Sequence, residues 1–158
     1  VFSMNTSIDM EKLREDAVHI FNSGFTCSES VIYAIKKNFE LEMSDDAIAI
    51  SSGFPWGLGG AGCICGALAG GTMCIGYFYG RTEPGDPRNQ LCFKLCNELH
   101  DFFKENYGAA CCRVLTRGME KQSPERKAHC TKMVSGTVVK TAEIILANLK
   151  DSRFQDVC

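Results

Sequence analysis

At 158 residues the chain fits one domain and can bury a sound core without covalent staples. Apolar residues at 45% against 23% charged argue against a disordered chain, and a net charge of -2 without a basic run argues against nucleic acid as a partner. Ten cysteines are the outlying number.

Residues 1–6 read as a disordered or cloning-derived leader, with Val1-Phe2-Ser3 standing before Met4. Ser7 then precedes Ile8, Leu13, Ala17, Ile20 and Phe21, a helical stripe with Asp9 and Glu11 near its start. Asn22-Ser23-Gly24 ends it. Thr26-Cys27-Ser28-Glu29 matches a capping box, in which Thr26 caps and Glu29 reaches back. Cys27, Val31, Ile35 and Phe39 repeat every four residues, which turns Cys27 toward the core. Ser44-Asp45-Asp46 opens a short helix to about Ser51.

A glycine-rich loop, Gly57-Leu58-Gly59-Gly60-Ala61-Gly62, leads through Cys63-Ile64-Cys65 into an apolar helix that ends near Tyr79-Gly80. That helix is apolar on all sides, so it is expected to be central and surrounded. Gly66, Gly70, Gly71 and Gly76 would each weaken it by roughly 1 kcal/mol against alanine, which makes sense where neighbouring helices approach closely. Asp86-Pro87 starts a helix running through Asn106, with Gly108 as its stop and Leu91, Leu95, Leu99 and Phe102 as its stripe. Cys111-Cys112-Arg113-Val114-Leu115 begins a short helix that Gly118 ends. Ser123-Pro124 starts the last one, with Cys130, Val134, Val138, Ile144 and Ile145 on its buried side; residues 152–158 read as a tail. No useful segment alternates with period two. The expectation is all-α: a single compact, bundle-like domain over residues 1–158 with a central glycine-rich apolar helix.

An even cysteine count suits a secreted disulfide scaffold, but the chain is too long to need one. Residues 4–14 are too polar for a signal peptide, and the cysteines sit in helix-like segments rather than loops. A reducing, cytoplasmic setting is therefore expected, with export still open because a leader can have been removed. The apolar stretch 63–79 is too short and too glycine-rich for a membrane span.

Standard motifs are missing. There is no CxxC and no CxxCH, which removes covalent haem and speaks against a thioredoxin-like dithiol. No paired CxxC units mark a zinc ribbon, and no GxGxxG follows a strand. His19, His100 and His129 are scattered. The informative feature is that Cys27, Cys65 and Cys111 or Cys112 fall at helix starts, where free N–H groups and the positive dipole end favour a thiolate. Lowered thiol pKa values are expected there, which suits metal ligation and redox chemistry. Cysteine also packs as a small hydrophobe, and spacing alone leaves both readings open.

Cys65-Gly66-Ala67-Leu68-Ala69-Gly70 reproduces a CGAxxG motif, flanked by Gly59-Gly60 and by Gly76-Tyr77-Phe78-Tyr79-Gly80. Upstream lies Phe25-Thr26-Cys27-Ser28-Glu29-Ser30-Val31; downstream lie Cys112-Arg113-Val114-Leu115 and Cys130. Four cysteines in this order resemble the redox-active C_GCAxxG_C_C family over about residues 10–149. That family is similar to the non-haem part of split-Soret cytochromes, where an iron–sulfur cluster is associated with such cysteines. The resemblance implies that Cys27, Cys65, Cys112 and Cys130 hold an iron–sulfur cluster of unspecified type, for electron transfer with a redox partner protein. It leaves two alternatives: a thiol–disulfide enzyme attacking through Cys65, or a zinc module on the same thiols. A homodimer is compatible with the sequence but not argued by it.

Six further cysteines depart from the family pattern. Cys111 competes with Cys112 as third ligand, and Cys63 could ligate or pair with another thiol. Cys92 and Cys96 share a helix face, where core packing is favoured over a metal clasp. Cys74 reads as core and Cys158 as idle. The glycine loop either brings backbone close to cluster sulfurs or only turns the chain.

Overall fold

The computed structural model describes residues 3–154. They form α1 (Met10–Asn22), α2 (Cys27–Asn38), α3 (Asp46–Ser51), α4 (Pro55–Leu58), α5 (Gly66–Tyr79), α6 (Arg88–Tyr107), α7 (Cys112–Leu115), α8 (Pro124–Ala147) and a final 3-10 turn at Leu149–Asp151. Among the described residues there is no strand, so the chain is all-α as expected. α4 is a helix only in outline, because Trp56 and Gly57 have positive φ values of 61° and 67°.

The helix ends follow local chemistry. Asp9 caps α1: its carboxylate accepts the N–H groups of Glu11 and Lys12. Thr26 stands at the cap of α2, but its hydroxyl donates to the Glu29 carboxylate and makes no backbone cap. The expected reciprocal capping box is therefore replaced by a direct bond between the two side chains. Ser123 caps α8 through the Arg126 N–H, and Gly108 closes α6 in the left-handed region at φ 88°.

α5 packs against α2, α6 and α8, and α1 bridges α2 and α8. Val31, Ile35, Phe39, Ile75, Phe78, Leu99, Phe103 and Val138 are fully buried between them. The buried stripe of α6 is Leu95, Leu99 and Phe103, one turn apart each; Phe102, expected on it, lies at its edge. Two glycines of α5 explain the close approaches. A Cβ on Gly70 would stand 2.7 Å from the Ser28 carbonyl oxygen and 3.0 Å from its Cα. One on Gly71 would stand 2.6 Å from Thr141 Oγ1 and 2.7 Å from Leu99 Cδ2. Gly76 faces open space.

The chain ends are tied down where they are described. Met4 is buried, and Asn5 pairs with α2 through its N–H to the Phe39 oxygen and its amide to the Asn38 oxygen. Ser152 is buried, and the Arg153 N–H donates to the Phe78 oxygen. Met4, Asn5, Ser152 and Arg153 thus rest on the helices. Val1, Phe2 and residues 155–158, Cys158 among them, lie outside the described residues. Among the described residues no helix is long and apolar enough to cross a membrane.

Candidate functional site

Cys27, Cys65, Cys112 and Cys130 line one cavity of about 500 Å³. Each arrives on a different element. Cys27 is the first residue of α2 and Cys65 the residue before α5; Cys112 opens α7, and Cys130 lies in the second turn of α8. Close packing of α2 on α5 sets the first two beside each other. A Cβ on Gly66 would collide with Cys27 Sγ, so only glycine lets the sulfur rest against the backbone there. The segments around Cys65 and Cys112 are joined by backbone hydrogen bonds: Cys65 N–H to the Ala110 oxygen at 2.8 Å, and Arg113 N–H to the Gly62 oxygen at 2.9 Å.

These positions decide several open sequence questions of placement. Cys112, not Cys111, faces the cavity; Cys111 turns to Cys63, with their sulfurs 2.9 Å apart. Cys74 is fully buried in the core of α5. Cys92 and Cys96 are partly buried against the core, and burial followed by the neighbouring Cys92 pushes the Cys96 thiol up to about 12. In the loop 57–62 the glycines serve the turn, with the Gly62 N–H bonded to the Gly57 oxygen at 2.9 Å. The close approach to a cavity sulfur is made instead by Gly66.

The other walls were not foreseen. Trp56 stands at the cavity with the Arg126 guanidinium 4.7 Å and the Lys121 ammonium 5.7 Å from its ring centre. Arg126 sits one helical turn before Cys130, and its Nη2 donates to Cys112 Sγ at 3.5 Å. Its Nε is buried without a hydrogen-bond partner among the described residues. Lys127 donates to the Phe21 carbonyl oxygen at 2.9 Å. The signal available in the sequence was the placement of Arg126 and Lys127 four and three residues before Cys130, on one helix face.

Helix-start placement does not lower the pKa values of Cys27 and Cys65 as expected. Burial pushes Cys27 up to about 12, and the neighbouring Cys65 and Cys130 add to it. Burial also lifts Cys65 to about 11, although it accepts the Leu68 and Ala67 N–H groups. Cys130 is raised by burial, against the opposing charge of Arg126. At Cys27 and Cys65 desolvation outweighs the helix end, so these thiols favour the protonated form. A stability consequence follows for metal-free protein. Both folded values lie above the ordinary 9.0, so the unfolded chain gives up these protons first. Their contribution is whole below about pH 9 and is lost as pH rises through 11 to 12. Denaturant midpoints of chelator-treated protein are expected to hold to pH 9 and fall above it, with a shallower fall for a Cys27→Ser/Cys65→Ser double variant. Parallel falls in both proteins would count against this account.

Among the described residues no three Cys, His, Asp or Glu side chains converge closely enough to share one metal ion. The four cavity cysteines surround a space rather than a point.

Residues 25–144 match the family model described as "Putative redox-active protein (C_GCAxxG_C_C)". The chain is also 28% identical over 153 residues to an "Uncharacterized protein" of Archaeoglobus fulgidus, covering 92% of this chain and 98% of that one. No solved structure matches it.

Proposed function

This chain belongs to the C_GCAxxG_C_C family of redox-active proteins, and from that premise we propose that Cys27, Cys65, Cys112 and Cys130 hold an iron–sulfur cluster through which it transfers electrons. One observation carries the reading: four cysteines remote in sequence line a single cavity. Four thiolates are the usual complement of such a cluster, which supplies one-electron redox chemistry at the site.

The residues present suit that group. Arg126 offers a buried, unpartnered Nε and a bond to Cys112 Sγ. Its charge and that of Lys127 offset part of the charge of four thiolates, and hydrogen bonds to the sulfurs tune a potential. Gly66 leaves room for Cys27 Sγ against the backbone. Trp56 and Phe25, each 39% exposed, wall the cavity and limit water beside the sulfurs.

Two alternatives are less well supported. A Cys65 nucleophile needs an accessible thiolate, whereas Cys65 is 5% exposed and its thiol is pushed up to about 11. Tetrahedral zinc, with bonds of ~2.3 Å, draws its thiolates to within ~4 Å of each other. The cavity thiols would have to contract for that.

Protein purified without oxygen is expected to be brown and to contain iron with matching acid-labile sulfide. A colourless protein, free of iron after anaerobic reconstitution, would overturn the proposal. Stoichiometric zinc without sulfide would replace it by a structural module.

A further inference from the structure

Outside the cavity, one pair of sulfurs is unlike the rest. Cys63 Sγ and Cys111 Sγ stand 2.9 Å apart, and Cys63 is exposed. Neither lines the cavity. Two backbone hydrogen bonds bracket the pair, Arg113 N–H to the Gly62 oxygen and Cys65 N–H to the Ala110 oxygen. The two segments are therefore already held side by side. A disulfide has an S–S bond of about 2.05 Å, so closure asks the two sulfurs to approach by about 0.9 Å. Arg113 adds a third tie between the two segments: its Nη2 donates to the Ala61 oxygen at 2.6 Å.

The geometry points to Cys63 and Cys111 as a second redox site, a surface dithiol that small disulfides such as oxidised glutathione convert to a disulfide. The steps balance. The exposed Cys63 sulfur, its proton lost to solvent, attacks one sulfur of the small disulfide. That S–S bond breaks, a mixed disulfide forms on Cys63, and one small thiolate leaves and takes up a proton. Cys111, deprotonated in turn, then attacks Cys63 Sγ and releases the second small thiol. The protein dithiol loses two electrons and two protons, and the small disulfide gains them. This site stands whether or not the cavity cysteines hold a cluster. It does sit on the two segments that carry Cys65 and Cys112, so closure fastens those segments together on the solvent side.

The test uses the full chain, reduced and then equilibrated with glutathione buffers of increasing oxidation, quenched in acid, alkylated and digested for mass spectrometry. The first internal disulfide is expected to join the peptides carrying Cys63 and Cys111, with two glutathiones released per chain. Those peptides also carry Cys65, Cys74 and Cys112, so single variants make the assignment. Cys63→Ser should abolish closure, and Cys111→Ser should stall with glutathione on Cys63. A Cys92→Ser/Cys96→Ser variant should close normally. Stable glutathione on Cys63 in the unmodified chain, or a first disulfide between any other pair, would overturn the assignment. Circular dichroism melting confirms that the variants fold; both changes lie outside the buried core.

Discussion

Serine in place of any one of Cys27, Cys65, Cys112 or Cys130 is expected to lower bound iron roughly tenfold or more, since even residues supporting a ligand are worth about that much. Iron, sulfide and visible absorption after anaerobic reconstitution make the measurement. Cys96→Ser should keep the wild-type content, because Cys96 is partly buried on α6 and does not line the cavity. The informative contrast is between neighbours. Cys112 faces the cavity and Cys111 faces Cys63, so Cys112→Ser should lose the cluster and Cys111→Ser should keep it. The reverse result would move the third ligand to Cys111. Full iron in all four serine variants would leave the proposed site without support.

Gly70→Ala is expected to destabilise the fold, although alanine is the better helix former by roughly 1 kcal/mol. The added Cβ would press on the backbone of Ser28, which cannot turn aside as a side chain can. Overpacking of this kind costs about 1–3 kcal/mol, or a few degrees in Tm for a chain of this size. Gly76→Ala, one and a half turns on in the same helix, meets nothing and should be neutral or stabilising by up to ~1 kcal/mol. Denaturant unfolding of the two variants side by side separates contact from propensity. Equal effects would mean that α2 and α5 do not lie as close as described.

The helices were legible because their ends carry local signals. Gly108, Ser123-Pro124 and the step from Cys65 into α5 needed no knowledge of distant residues. Asp9, which the sequence places near the start of the first stripe, is the residue that caps α1. What resisted reading depends on distance through space. Trp56 reaches the cavity only when α4 is docked; the spacing of Arg126 and Lys127 before Cys130 marks a shared helix face, but that the face meets a cavity depends on the docking of α8. The pairing of Cys63 with Cys111 joins residues 48 apart in the chain. The ionisation of Cys27 and Cys65 was read in the wrong direction because a helix start is visible in sequence while desolvation is not.

The cavity draws its walls from α2, α5, α7 and α8, so it exists only at the end of a history. During synthesis the first two-thirds of the chain can emerge and collapse while two of the four thiols are still untranslated. No partial chain presents the complete set of donors. On the proposed reading, a cluster held by all four thiols would be bound only after translation has passed Cys130 and α8 has found its place, on a nearly finished fold and not a nascent chain. Such a cluster would join points far apart along the chain, and because the four thiols converge only in the folded state, its binding would add directly to the stability of that state.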